Sequence, residues 1–192
     1  MIAIIDYGAG NVRSVETALN RIGVESVLTD DINQLTIADK VIFPGVGHAA
    51  FAMEQLKNKK LMEVIKNLKQ PVLGICLGQQ LLCDFTEEGQ TKGLGIFDVE
   101  VKAFPKTEIL PHMGWNQIRD FKGELFSGME EESDVYFVHS FYCELSVNTI
   151  ASAEYILPFS AALQKDNFYA TQFHPEKSSS IGQIILQNFI AL

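Results

Sequence analysis

Three short apolar runs, IAIID (2–6), KVIFPG (40–45) and PVLGIC (71–76), each carry a glycine at or near their end and give way to residues with helical spacing. This alternation narrows the possible folds more than any other feature of the chain. Short strands separated by helices pack as parallel neighbours joined by right-handed crossovers. The first intervening stretch, NVRSVETALNRIG (11–23), places Val12, Val15, Leu19 and Ile22 on one helical face and closes on Gly23. VESVL reads as a further strand, residues 48–68 as helix interrupted near Asn58, and GQQLLCDF as the helix after the fourth strand. Ligands of such sheets bind beyond the carboxyl ends of the strands. Gly8, Gly45 to Gly47 and Cys76 fall at those ends.

Beyond KGLGIFDVEVKAF the rhythm changes. VEVKAF, DVYFVHSFYCEL, TIASAEY, SAALQK and FYATQFH read as strands joined by turns, with few helices between them. They imply a mixed, largely antiparallel extension. A last helix, SSIGQIILQNFI, carries Ile181, Ile184, Ile185 and Phe189 at helical spacing. The expected class is α/β: a three-layer α/β/α fold with a mixed central sheet, parallel in its first half and antiparallel in its extension. Repeats, low-complexity segments and Pro/Ser-rich linkers are missing from the sequence, so residues 1–192 are expected to form a single domain.

With 24 acidic against 15 basic residues the net charge is -9. Nucleic acid is a poor match, because phosphate contacts need clustered Lys and Arg. No apolar run approaches the roughly 20 residues that span a bilayer. The start, MIAIIDYGAGN, lacks a basic n-region and reaches Asp6 at once, unlike a secretory signal. Three cysteines, Cys76, Cys83 and Cys143, are too few and too odd in number for a disulfide framework. The expectation is a cytoplasmic protein with reduced thiols that engages neither nucleic acid nor membrane.

Cys76, between Gly74 and Gly78, has two readings. One is a small hydrophobe in a strand-to-helix turn that needs glycine. The other is a nucleophile elbow, where small neighbours leave room for a side chain held at the tip of the strand. A nucleophilic thiol needs a base, and the base an orienting group. His174, in QFHPEKS, has Glu176 two residues on, and Pro175 between them restricts the backbone. A carboxylate on one imidazole nitrogen fixes the tautomer and supports the imidazolium; the alternative is a surface hydrogen bond. Acyl transfer also needs oxyanion donors. The Leu77 N–H follows the nucleophile directly, and PGVG (44–47) is a second source unless it is a plain βα turn. Cys83, on the helix GQQLLCDF, reads as a core thiol, and Cys143 lies on a strand with no glycine-flanked turn. Metal-ligand spacings, a P-loop and G-x-G-x-x-G do not occur, so no metal or cofactor is expected.

GICLGQQ, FPGVG and QFHPEKS, in this order, resemble the class I (triad) glutamine amidotransferases. DYGAGN, PHMGWN (111–116) and VHSFY (138–142) narrow the resemblance to the glutaminase subunits of imidazole glycerol phosphate synthases, from Asp6 to Ser178. The resemblance implies that Cys76 attacks the carboxamide of L-glutamine, His174 moves the proton to departing ammonia, and Glu176 orients His174. It implies oxyanion donors at Leu77 and Val46, and substrate contacts from Gly45, Gly47, Gln80, Glu88 and the backbone at Ser140 and Phe141. Phe141 stands where relatives often carry Tyr, and Thr86 where Ser is common. His139, just before the substrate segment, is expected to shape the pocket.

The same resemblance implies a partner, a (β/α)8 barrel subunit that receives ammonia and forms a heterodimer with this chain. The barrel splits phosphoribulosyl-formimino-aminoimidazole-carboxamide ribonucleotide into imidazole glycerol phosphate and aminoimidazole-carboxamide ribonucleotide, in histidine biosynthesis. Asn11, His112, Met113, Trp115, Tyr136 and Lys177 are expected at or near that interface. Two other roles compete: the glutaminase of pyridoxal 5'-phosphate synthase, against which YGAGN and PHMGWN argue, and a catalytically silent regulatory subunit, against which the intact Cys76, His174 and Glu176 argue. A cysteine peptidase of similar architecture would share the elbow but has no reason to carry HPEKS in this segment order.

Overall fold

The computed structural model describes residues 1–8 and 11–192; Ala9 and Gly10 of the DYGAGN motif lie outside the described residues. Strands β1 (Ile2–Ile5), β2 (Ser26–Thr29), β3 (Lys40–Gly45) and β4 (Val72–Cys76) alternate with helices α1 (Val12–Arg21), α2 (Ile32–Ile37), α3 (Ala49–Asn58) and α4 (Leu61–Asn67). Then come α5 (Leu77–Leu82), β5 (Cys83–Thr86), β6 (Thr91–Lys92), β7 (Phe97–Ala103), β8 (His112–Arg119) and β9 (Ser133–His139). β10 (Phe141–Cys143), β11 (Thr149–Tyr155), β12 (Leu157–Lys165), β13 (Phe168–Thr171) and α6 (Ser179–Ala191) complete the chain.

The central sheet has nine strands in the order β2-β1-β3-β4-β13-β12-β11-β8-β9. β2, β1, β3, β4 and β13 are parallel neighbours, and β12, β11, β8 and β9 continue the sheet antiparallel. Burial on both faces explains the uninterrupted apolar runs of β1, β3 and β4. Ile2, Ile4, Leu73 and Ile75 pack with Val15 and Leu19 of α1 and Ile185 and Phe189 of α6. Ala3, Ile5, Val41 and Phe43 point the other way, into a second core with Leu56 of α3, Ile65 of α4 and Leu81 of α5. The result is α/β/α layering around a mixed sheet, with β4 in its interior between β3 and β13.

Several local assignments differ from the sequence reading. The helix after Cys76 stops at Leu82, and Cys83–Thr86 is a strand instead of further helix. The N–H groups of Leu94, Gly95 and Ile96 donate to the carbonyls of Leu81, Cys83 and Leu82 at 2.8–3.0 Å, ending the helix by tertiary capture. β5 joins a separate four-stranded sheet, β10-β7-β5-β6, which the sequence did not announce. DVYFVHSFYCEL, read as one strand, is two: β9 belongs to the central sheet and β10 to the small one, with Ser140 between them. α2, which the sequence pattern does not reveal, is capped by Asp31, whose carboxylate accepts the Gln34 N–H at 2.9 Å. The interruption near Asn58 is real: α3 ends there, and Lys60, at φ 58°, starts α4.

β4 passes into α5 with no intervening residue, and the turn is made by Cys76 itself, at φ 55° and ψ -108°. Tight packing behind the turn leaves no space for side chains. A Cβ at Gly78 would lie 2.0 Å from the Phe43 carbonyl oxygen, and one at Gly74 would lie 2.8 Å from Leu82 Cδ1. Gly78→Ala is therefore expected to lower stability by about 1–3 kcal/mol, the usual range for overpacking, read as a lower urea midpoint; an unchanged midpoint would show that β3 and α5 are less tightly apposed.

Candidate active site

The turn at Cys76 projects its thiol from the carboxyl end of β4. A non-glycine residue at positive φ is strained by about 1–3 kcal/mol and persists only where its surroundings over-determine it. Here the β3–β4 register, with Gly45 opposite Cys76, and the glycine contacts supply that constraint. The strand–turn–helix context is the one a nucleophile elbow requires. The thiol lies 3.9 Å from the Val138 carbonyl oxygen and 3.8 Å from Gln172 Nε2.

His174 reaches the same place from the loop after β13. Its Nδ1 is 2.7 Å from Glu176 Oε1, and both side chains are 1% exposed. Nε2 is buried and makes no hydrogen bond among the described residues, so it is free to serve a reacting group. Burial works against the imidazolium, but the negative charge of a Cys76 thiolate and the Glu176 carboxylate outweigh it, pushing the His174 pKa up to about 10. The buried imidazole is thus placed to take and return a proton beside the Cys76 sulfur, with Glu176 holding its far nitrogen. Asn11 holds the carboxylate from the far side, its Nδ2 donating to Glu176 Oε1 at 3.0 Å.

A cavity of about 300 Å³ opens over the thiol, lined by Val46, Gly47, Cys76, Leu77, Gln80, Glu88, Pro111, Val138, His139, Ser140, Phe141 and His174. The residues expected to serve chemistry and substrate therefore converge, except Gly45, which sits as Cys76's strand neighbour, and Glu176, which stands behind His174. Glu88 is anchored by the Ala49 N–H at the start of α3, 2.7 Å from Oε2. Thr86 is buried, and its hydroxyl accepts the Glu88 N–H at 3.2 Å, so threonine performs the turn chemistry that serine would. A larger cleft, about 590 Å³ beside Asp120, Lys122 and Met129, has no cysteine, serine or histidine in its lining among the described residues.

The other thiols differ in kind. Cys83 and Cys143 are fully buried with their sulfurs 3.6 Å apart, and burial followed by the neighbouring Cys143 pushes the Cys83 thiol well up, so it stays protonated. Of the six residues expected at a docking face, Met113 and Trp115 are 62% and 56% exposed. Trp115 lies edge-on to Tyr136, its partner across β8 and β9, and Lys177 Nζ sits 5.7 Å from the Tyr136 ring. His112 does not join them. It is 5% exposed and faces inward, because alternation along β8 turns it away from Met113. The Asn11 amide is engaged by Glu176.

Two residues at the site escaped the sequence reading. Tyr7 is fully buried and donates its hydroxyl to the Pro44 carbonyl at 2.9 Å, pinning the start of the PGVG loop. Burial, then the charge at Cys76, raises its pKa far above the ordinary phenol value. Gln172 links Gln80 to the thiol: Gln80 Nε2 donates to Gln172 Oε1 at 3.0 Å. Its signal was the position two residues before His174.

The fold and the site define a family. Residues 3–192 match the model of the glutamine amidotransferase class-I family, and the chain belongs to it. Among characterised relatives it is similar to the imidazole glycerol phosphate synthase subunit HisH of Bacteroides fragilis, 57% identical with 100% of this chain and 99% of that protein covered. The HisH subunit of Haemophilus influenzae is 44% identical, with 98% and 96% covered. Among solved structures, a glutamine amidotransferase aligns with TM-score 0.77 at 16% identity, covering 100% of this chain and 98% of that one. The PurLQS structure from Thermotoga maritima aligns with TM-score 0.72 at 17% identity, covering 99% of this chain and 97% of the matched one. At those identities the structures attest the fold.

The charge state of His174 is directly measurable. In the wild type its imidazole is expected to remain cationic through neutral pH, titrating near the raised value of about 10. In Cys76→Ala the main stabilising partner is gone while burial remains, so the midpoint should fall well below that value, and Glu176→Gln should move it the same way. Histidine-labelled NMR titration reads both; a midpoint unmoved by either substitution would contradict the ion-pair account.

Proposed function

We propose that this chain is the glutaminase subunit of an imidazole glycerol phosphate synthase. The observation that carries the reading is the meeting, in one cavity, of a strained elbow cysteine with a buried His174–Glu176 pair. The full-length likeness to HisH subunits supports the pathway, histidine biosynthesis. We take residues 1–192 as one amidotransferase domain acting in the cytoplasm.

His174 takes the proton of the Cys76 thiol as the sulfur adds to the carboxamide carbon of glutamine, and the Leu77 and Val46 N–H groups take the oxyanion. His174 gives its proton to the leaving nitrogen, ammonia departs, and a γ-glutamyl thioester remains on Cys76. His174 then deprotonates water, which attacks the thioester and releases glutamate and the free thiol. Glu176 keeps the His174 ring in place through Nδ1. Gly45 and Gly47 let the loop backbone lie beside the substrate, while Gln80, Glu88, Ser140 and Phe141 hold its amino-acid end. Ammonia passes to a (β/α)8 barrel partner in a heterodimer, where the synthase and lyase chemistry takes place. Met113, Trp115, Tyr136 and Lys177 form the patch that meets the partner. Channelling has a plain motive: ammonia released into neutral water is protonated and loses its nucleophilicity.

Cys76→Ala is expected to abolish glutamate release and glutamine-driven synthesis in the complex, while synthesis from added ammonium salt at high pH continues. A silent regulatory subunit predicts no effect of the substitution on either. Loss of ammonium-driven synthesis in an intact complex would contradict the separation of the two chemistries.

A further inference from the structure

The mechanism leaves two buried histidines unused. His112 and His139 are paired across β8 and β9, and their side chains meet with Nδ1 of His112 2.9 Å from Nε2 of His139. His112 is stacked on Tyr155, ring centroids 4.1 Å apart, and on Phe137 at 5.0 Å. His139 packs against Phe104 and Phe159. Buried ring nitrogens in such a cage need partners, and these have a directional set.

The proton positions follow from the ends of the chain of bonds. At one end His139 Nδ1 lies 2.8 Å from the Phe141 carbonyl oxygen, which only accepts, so Nδ1 carries a hydrogen. At the other end Asn116 Oδ1 accepts the Gln117 N–H at 2.8 Å, which turns the Asn116 amide nitrogen toward the Glu154 carbonyl and His112 Nε2, at 2.9 and 3.2 Å. His112 Nε2 therefore accepts and its Nδ1 donates to His139 Nε2. Every bond in the series Asn116, His112, His139, Phe141 is satisfied in one direction only. Burial keeps both rings neutral, pushing His112 down to about 4 and His139 to about 3, the latter lowered further by the charge of His174.

The series ends on the cavity rim. The Phe141 carbonyl also receives Gln80 Nε2 at 3.1 Å, and the preceding carbonyl, of Ser140, receives the Phe104 N–H at 3.1 Å. Gln80 in turn reaches Gln172, which touches the thiol. The junction between β9 and β10, where the chain leaves one sheet for the other, is thus held by side chains on both sides. We infer that His112 and His139 are positioning residues for glutamine binding: a two-imidazole strut, both rings in the Nδ1–H tautomer, that fixes the Phe141 carbonyl and with it the rim of the cavity. The inference rests on the glutaminase reading above. The strut begins on β8, the strand that presents Met113 and Trp115 outward, so the docking patch and the substrate rim share one rigid element.

The test combines a spectroscopic and a kinetic readout. Nitrogen-15 NMR of the wild type should show both rings as Nδ1–H tautomers; an Nε2–H tautomer at either would overturn the inference whatever the variants do. His112→Phe keeps the aromatic stack but frees His139 Nε2, and should raise the KM for glutamine about ten-fold, the scale of one buried hydrogen bond. kcat and the rate at which iodoacetamide alkylates Cys76 should stay near wild type. His112→Asn, whose amide nitrogen takes the place of Nδ1, should recover most of the KM. An unchanged KM in His112→Phe, or a loss that His112→Asn fails to recover, would overturn the strut. A wild-type complex that releases no glutamate would overturn the glutaminase reading and with it this role, an outcome separate from wild-type turnover with a KM indifferent to His112.

Discussion

The site depends on one backbone conformation. Cys76 turns the chain from strand to helix within a single residue, at φ 55°, and that places its thiol at the tip of β4. The strain is sustained because the packing on either side admits no gentler path. Gly78 lies against the Phe43 carbonyl, and Gly74 against Leu82 and the first turn of α5. The α/β/α layers clamp β4 between two cores, and the loops that carry His174, Val46 and Ser140 all end at the same edge. A looser turn would lay the thiol along the sheet, away from its base.

Environment, more than residue type, sets the chemistry around that turn. Three histidines are buried within this region, yet one is cationic and two are neutral. His174 has the Cys76 sulfur and the Glu176 carboxylate for neighbours, whose attraction for the imidazolium overcomes burial; His112 and His139 have aromatic rings and uncharged acceptors, and burial prevails. The same contrast separates the cysteines. Cys76 lines an open cavity beside a base, whereas Cys83 and Cys143 face each other in a sealed core.

The sequence disclosed the elements whose pattern is local. Glycine-ended strands with one-sided helices announced the parallel half of the sheet, and GICLGQQ with QFHPEKS announced the chemistry. What it concealed depended on partners distant in the chain. The end of α5 is set by N–H groups of residues 94–96, and the split of VHSFYC into two strands by a second sheet not visible in any one segment. β8 went unread as a strand because HMGWNQIR places Gly114 and Asn116 at inward positions and Met113 and Trp115 at exposed ones, so its strict alternation of burial is not visible as an apolar pattern. His112 was expected at or near a docking face with its motif neighbours, and strand alternation places its side chain on the buried side of β8. Tyr7 acts through a contact made by folding that no local pattern marks, and Gln172 was marked only by its place in QFHPEKS, two residues before His174.

The central claim is that Cys76 alone, of three thiols, is the nucleophile aimed into a glutamine-sized cavity. A glutamine-mimicking electrophile followed by peptide mass mapping tests it most directly. The account predicts a single covalent adduct on the peptide carrying Cys76, suppressed by excess glutamine. An adduct on Cys83 or Cys143, or labelling of Cys76 that glutamine does not slow, would contradict it.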